Sequence, residues 1–163
     1  MKLLLIVYHS RTGGSRQIAQ VAESAARETG EARVQVLEAT EAGPDDLLHA
    51  DGYLFVCPEN LAAISGEMKA FFDRAYYPVL GRIEGRPYAL MVCAGSDGEN
   101  AVRQMARIAT GWRLKAVAEP IIVCTHAQTP EAILAEKQIA PAELARCGEL
   151  GAALAAGLAM GIY

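Results

Sequence analysis

The first residues that could do chemistry lie in the stretch YHSRTGGSRQIAQ, residues 8–20, between an aliphatic run and a helix-like pattern. Gly13 and Gly14 allow positive φ angles, so the backbone can approach a ligand closely. Several amide N–H groups would then point into one concavity at the positive end of the following helix. Three hydroxyl side chains bracket the glycines and could add donors: Ser10, Thr12 and Ser15. The turn therefore predicts an anion site, usually for phosphate, and the simpler alternative is a strand-to-helix turn capped by serine.

Other phosphate chemistries fit this turn less well. No Gly-Lys-Ser/Thr follows the glycines, so it is not a Walker A loop, and without G-x-G-x-x-G a dinucleotide is not expected. Ser10 and Arg16 have the spacing of the nucleophile and the arginine in phosphatases of the C-x5-R type. Such enzymes depend on a thiolate, whereas the serine hydroxyl is far less acidic and the sequence shows no activating base nearby. We therefore expect binding of a phosphate rather than its hydrolysis.

Two further turns could shape the rest of a ligand site. The second reads CPENLAAISGEMKAFFDRAY from Cys57, where Asn60 can offer an amide to a planar heterocycle and small residues leave room for a flat group. The third reads CAGSDGEN from Cys93, where Gly95 and Gly98 again permit amides to face a ligand. Each segment alone is also ordinary turn chemistry, so its meaning depends on where the fold places it.

The elements around these turns follow from the hydropathy pattern. Apolar runs predict strands at residues 2–8, 32–38, 52–57, 88–94 and 117–124. Pro120 interrupts the last run, which suits a sheet edge or a bulge. Helical spacing of apolar residues predicts helices at residues 15–28, 44–49, 66–76, 100–111 and 141–159.

This alternation of strands and helices indicates an α/β fold with right-handed crossovers. We predict a doubly wound three-layer sandwich, with a five-stranded parallel sheet in the order 2-1-3-4-5 and helices on both faces. Ligands of such sheets bind at the carboxyl ends of the strands, beside the switch point between strands 1 and 3. The three turns all fall on that edge, where together they predict a slot for a mononucleotide with a flat ring.

Composition limits the class of protein. The chain has 163 residues, 52% of them hydrophobic, and we expect one domain spanning residues 1–163. A formal charge of −4 gives no electrostatic footprint for nucleic acid, and no apolar run approaches the length of a membrane span. The opening MKLLLIVY lacks a signal cleavage site, so we expect a strand there and a cytoplasmic protein. The four cysteines form no C-x-x-C pair and are expected to be buried free thiols.

The quoted turns resemble those of a known family. SRTGGSRQIA after strand 1 and PENLAAISGEMKAFFDR after strand 3 look like the corresponding segments of the flavodoxin-like FMN proteins. The second segment is especially similar to the small NAD(P)H-dependent FMN and quinone reductases of the WrbA type, in which a small-residue loop leads into a G-x-M/L-K-x-F-x-D-R helix. The resemblance implies an oxidoreductase that passes electrons from NAD(P)H through bound FMN to a quinone or similar acceptor, with no metal.

The resemblance also implies roles for residues of all three turns. Those of the first turn would cradle the FMN phosphate: Ser10, Arg11, Thr12, Gly13, Gly14 and Ser15. Those of the second would line the isoalloxazine and the ribityl chain: Pro58, Glu59, Asn60 and Leu61. Those of the third would line the other edge of the ring: Ala94, Gly95, Ser96, Asp97 and Gly98. Lys69, Asp73 and Arg74 belong to the family helix with a structural role, and no side chain is assigned to catalysis.

The sequence also departs from the family pattern. Electron-carrying flavodoxins usually stack an aromatic side chain from each ring loop on the flavin, and neither PENLAAIS nor AGSDGEN contains one. A ring face left open could be contacted by a nicotinamide or a quinone. Glu59 stands where related reductases often have a neutral or basic residue, and an acid near the ring would disfavour an anionic reduced flavin. His126, just after strand 5, could reach the ring region.

The sequence also bears on two other functions and on self-association. A non-enzymatic electron carrier of the flavodoxin kind remains the alternative. A flavin-free signalling domain needs an Asp at the end of strand 3 and an acidic pair after strand 1, where this chain has Cys57-Pro58 and His9-Ser10. The apolar, aromatic segment YYPVLGRIEG, residues 76–85, together with the frequent assembly of related reductases, predicts a homodimer or a homotetramer.

Overall fold

A computed structural model describes residues 1–163 and has a parallel sheet at its centre. The long strands are β1 (Leu3–Tyr8), β2 (Arg33–Glu38), β3 (Gly52–Asn60) and β5 (Pro87–Ala94), and the short ones are β4 (Ala63–Ile64), β6 (Lys115–Ala116) and β7 (Ile121–Cys124). The helices are α1 (Gly14–Glu28), α2 (Pro44–His49), α3 (Gly66–Val79), α4 (Glu99–Gly111), α5 (Pro130–Leu134) and α6 (Pro141–Met160). The sheet order is β2-β1-β3-β5, with β6 and β7 both beside β5. The predicted fold class and strand order are confirmed.

The strands differ from prediction in two places. Of the predicted last strand, residues 117–124, only β7 after Pro120 forms, because proline has no N–H to donate to a ladder, and β6 lies just before the predicted range; both are parallel to β5. β3 continues past its predicted end and pairs antiparallel with β4, Glu59 opposite Ile64. The tip of this hairpin is Leu61 and Ala62, with φ angles of 49° and 61°. Part of the second turn is therefore a strand rather than a loop.

One helix was not predicted at all. α5 is a short helix that begins after Thr129, whose hydroxyl accepts a hydrogen bond from the Ala132 N–H at 3.2 Å. Pro130 stands at the first helical position, where its missing N–H costs nothing. The cap and the proline were readable from the sequence, but the helix has only five residues and no buried one, so it lacked an apolar stripe.

The core consists of two apolar clusters, one on each face of the sheet. Alternation along β1 sends Leu4 and Ile6 to one face and Leu5 and Val7 to the other. α2, α3 and α4 cover the face that holds most of the aromatic side chains, including the fully buried Trp112. α1 and α6 cover the opposite face. The sheet is thus buried on both sides, which explains the continuous apolar runs of its strands.

The surface of α3 and its end carries residues with structural roles. Lys69 and Asp73 form an ion pair at 2.6 Å, and the Arg74 guanidinium donates to the carbonyls of Ala39 and Ala42 at 2.7 and 2.6 Å.

In the predicted self-association segment, Tyr77 is 78% exposed, and assembly of the chain stays a prediction. None of the helices combines the length and the apolar character needed to cross a membrane.

Candidate functional site

The first turn joins β1 to α1 and presents unused backbone donors. Gly13 is the N-cap of α1 with a φ of 91°, and its N–H donates to the Ser10 hydroxyl at 3.1 Å. The remaining N–H groups of the turn and of the first helical residues donate to no acceptor in the chain: Arg11, Thr12, Gly14 and Ser15. Because the positive end of a helix macrodipole lies here as well, this arrangement favours a bound anion.

Ser15 supplies a second kind of evidence for a ligand at this turn. Its side chain is only 2% exposed, and its hydroxyl has no hydrogen-bond partner. A buried hydroxyl without a partner costs about 1–3 kcal/mol, which a ligand with acceptor oxygens would recover. Local sequence places this hydroxyl at the start of α1, and the packing of β5 keeps the backbone close, since a Cβ at Gly14 would contact the Cys93 sulfur. The residues present therefore fit a phosphate group.

The second and third turns are joined by Glu59. Its carboxylate accepts hydrogen bonds from the Gly98 N–H at 2.9 Å and from the Ala101 N–H at 3.2 Å. Glu59 therefore caps the N-terminus of α4, where a negative charge is stabilised by the helix dipole. From the sequence, Glu59 was predicted to line the ring and the Gly98 N–H to face a ligand. In the structure, the Gly98 N–H donates to Glu59 instead. The capping carboxylate comes from β3, which is far from α4 in the sequence, so no local pattern could reveal it.

A cavity of about 320 Å³ lies between the three turns. Six predicted residues line it: Arg11, Glu59, Asn60, Leu61, Gly95 and Ser96. An adjoining cavity of about 70 Å³ adds three more: Thr12, Pro58 and Ala94. The other predicted residues line neither of these two cavities: Ser10, Gly13, Gly14, Ser15, Asp97 and Gly98. The larger cavity reaches the lower end of the range for small-molecule sites, which is about 300 Å³.

No aromatic side chain lines either cavity, as the sequence of the ring loops predicted. Two polar residues of the hairpin, Glu59 and Asn60, line both of them. His126 lines neither cavity; its N–H donates to the Gly95 carbonyl at 2.8 Å, and its φ is 59°. A flat ring in the cavity of about 320 Å³ would therefore meet aliphatic and polar side chains, among them Leu61 and Ile133, rather than a stacked aromatic.

The segment after β7, residues 125–140, contributes residues that sequence reasoning missed; we call it the strap. Ala127, Gln128 and Ile133 line the larger cavity, and Lys137 lines the smaller one. The strap is held against the first turn, because the Lys137 N–H donates to the Thr12 carbonyl at 2.8 Å. These contacts join residues far apart in the chain, and in the sequence only Thr129 and Pro130, at the start of α5, marked the strap.

A third cavity, of about 600 Å³, lies away from the three turns, between α3 and α4 beside β4. None of the residues predicted to bind a ligand lines it. The cavity between the three turns is the candidate ligand site, because it lies at the carboxyl ends of β1, β3 and β5, where ligands of such sheets bind, and borders the first turn.

The buried cysteines are core residues rather than nucleophiles. All four are free, and Cys57, Cys93 and Cys147 are buried. Burial raises the pKa of Cys57 to about 12 and the pKa of Cys93 to about 11, so both thiols stay protonated at neutral pH. A thiolate is the reactive form of cysteine, so these side chains act as core residues.

The fold and the three turns define a flavodoxin-like protein. The fold matches a flavodoxin from the domain Archaea with a TM-score of 0.76 at 18% identity, covering 96% of this chain and 98% of that one. It also matches the flavodoxin, WrbA-like protein from Agrobacterium tumefaciens with a TM-score of 0.71 at 17% identity, covering 98% and 99%. Residues 40–129, more than half of the chain, match the NADPH-dependent FMN reductase family. The chain belongs to this family of FMN-binding, flavodoxin-like oxidoreductases.

Curated relatives extend the comparison. A flavodoxin of Aquifex aeolicus (strain VF5) is 32% identical over 107 residues, which are 65% of this chain and 58% of that protein. An NAD(P)H dehydrogenase (quinone) of Acidithiobacillus ferrooxidans is 30% identical over 45% of this chain and 47% of its own length. The chain thus spans about half the length of the curated relatives it matches.

Glu59 should stabilise both α4 and the third turn. We expect Glu59→Ala to lower the free energy of unfolding by about 1–2 kcal/mol, because two amides at a helix N-terminus lose a charged acceptor. The measurement is urea unfolding of the flavin-free protein. Glu99→Ala is the matched control, because Glu99 lies in the first turn of the same helix and its side chain makes no hydrogen bond. Equal stability of the two variants would rule out the capping role.

Proposed function

We propose that this protein binds FMN between its three turns and passes electrons from NAD(P)H through it to a quinone or a similar small acceptor. The observation that carries the proposal is a donor-rich turn at a helix N-terminus beside a cavity with no aromatic lining. Family membership and the quinone-dehydrogenase relative support the same activity. Bound FMN would supply the redox chemistry, accepting hydride from the nicotinamide and releasing electrons to the acceptor.

The chain's own residues bind and orient the cofactor. The free amides of the first turn and the Ser15 hydroxyl would hold the phosphate, which fixes the cofactor at one end. Glu59 positions the third turn by capping α4, so the walls of the ring cavity are set before any ligand arrives. Because no aromatic side chain lines the ring cavity, a nicotinamide and then an acceptor can stack on the same face of the flavin.

A flavodoxin-type electron carrier is the second candidate function. The flavodoxin relative from Aquifex aeolicus, which is more similar in sequence than the dehydrogenase, favours it. A carrier exchanges electrons with protein partners, whereas a reductase oxidises NAD(P)H directly. The absence of aromatic side chains from the ring cavity is the feature that makes us prefer the reductase.

A steady-state assay separates the two functions. Purified protein is first titrated with FMN and followed by its visible spectrum, and oxidation of NADPH or NADH is then recorded with and without a soluble quinone. We expect turnover that requires protein, FMN and quinone together. FMN without protein and protein with riboflavin are the controls. The electron carrier would be favoured if the protein binds flavin but oxidises NAD(P)H only after a separate reductase is added.

A further inference from the structure

The strap places a carboxylate over the anion-binding turn. Glu136 forms an ion pair with Arg16 at 2.8 Å. A Cβ added at Gly13 would run into this same carboxylate, so it lies directly against the backbone of the turn. The carboxylate of Glu136 thus occupies the region at the N-terminus of α1 where an anion is favoured.

Glu136 leaves most hydrogen-bond donors around the first turn without a partner. Its one hydrogen-bond partner is Arg16, and the amides of Arg11, Thr12, Gly14 and Ser15 donate nothing to it. The buried hydroxyl of Ser15 also stays without a partner. A phosphate dianion carries more charge and more acceptor oxygens than a carboxylate, so it could use the donors that Glu136 leaves unused.

Further contacts hold the strap in register over the turn. The Gln17 side-chain amide donates to the Lys137 carbonyl at 2.6 Å and accepts from the Ile139 N–H at 3.1 Å. The Lys137 ammonium donates to the Thr12 hydroxyl at 3.2 Å. These bonds fix the residues just after Glu136 in the chain and so hold its carboxylate near Arg16.

We propose that Glu136 is an internal competitor for the FMN phosphate. In the flavin-free protein it holds Arg16 and rests on Gly13, and a bound phosphate displaces it together with this part of the strap. The Arg16 and Glu136 side chains are 45% and 58% exposed, so the pair is weak enough to be displaced. This inference rests on the proposed function, and it adds that the first turn admits a phosphorylated flavin by exchange of one anion for another.

The test compares two flavins and two glutamates. Glu136→Gln removes the competing charge and should bind FMN up to about fivefold more tightly, the range set by an exposed ion pair. Its affinity for riboflavin, which has no phosphate to exchange for the carboxylate, should not change. Glu131→Gln is the matched control, because Glu131 lies on the same strap and its side chain makes no ion pair or hydrogen bond. Both affinities are measured by quenching of flavin fluorescence.

A second measurement needs no flavin. Amide hydrogen exchange at Lys137, whose N–H is bonded to the Thr12 carbonyl, should be faster in Glu136→Gln than in the wild type and unchanged in Glu131→Gln. If the wild type binds FMN and Glu136→Gln binds it equally or less tightly, Glu136 is not a competitor, and the proposed function stands. If neither protein binds FMN, the proposed function fails and the inference fails with it.

Discussion

Replacing Ser15 with alanine is expected to weaken FMN binding by about ten- to hundredfold while raising the free energy of unfolding of the flavin-free protein by about 1–3 kcal/mol. The reason is an asymmetry between the two states. Without ligand, the buried Ser15 hydroxyl has no partner, so its removal breaks no hydrogen bond. With FMN bound, the same hydroxyl would donate to a charged phosphate oxygen, and hydrogen bonds to charged groups contribute about 1.5–3 kcal/mol.

This prediction is checked by fluorescence titration with FMN and riboflavin, together with thermal unfolding of the flavin-free protein. Riboflavin affinity should be the same in Ser15→Ala and the wild type, because riboflavin lacks the phosphate. Ser24→Ala, an exposed serine on the same helix, controls for the helix propensity of the new alanine. An unchanged FMN affinity in Ser15→Ala would move the phosphate away from the N-terminus of α1 and remove the central support for the proposed function.

The largest loss of stability is expected where α1 and α6 approach each other most closely. A Cβ at Gly151 would lie 2.7 Å from the carbonyl carbon of Ala22, which is backbone and cannot rotate away. Gly151→Ala should therefore force the helices apart and lower the free energy of unfolding by about 1–3 kcal/mol. α1 carries the anion-binding turn at its N-terminus and α6 follows the strap, so this contact also fixes the two walls of the phosphate region.

Gly148, one turn earlier on α6, provides a matched control. A Cβ there would meet its nearest neighbour, a Val21 methyl, at 3.5 Å, which is an ordinary contact. Gly148→Ala is expected to raise the free energy of unfolding by about 0.5–1 kcal/mol, because alanine loses less backbone entropy than glycine in a helix. Urea unfolding of both variants measures the difference. Opposite signs support the close approach, whereas stabilisation in both would contradict it.

A phosphate site could be predicted from local sequence at the first turn, whereas FMN was implied by the family resemblance of the first two turns. The glycines and hydroxyl residues between Tyr8 and Arg16 act within one short segment, so their types and spacing are sufficient to predict an anion site. The second and third turns were harder to interpret. Their small residues do line the cavity, but the carboxylate of Glu59 is used to cap α4 from a neighbouring strand. A side chain's partner across the sheet cannot be read from its own neighbours in the chain.

The sequence alone predicted the order of the main strands and helices and the parallel sheet with two covered faces, and it predicts an anion site at the first turn. Hydropathy periods and turn residues act over a few positions, so they can be read without the fold. Only the tertiary structure decided that the strap lies on the first turn, that Glu136 meets Arg16 and that Gly151 touches Ala22. Each of these contacts joins residues more than a hundred positions apart, and their approach depends on how whole elements pack rather than on any local pattern.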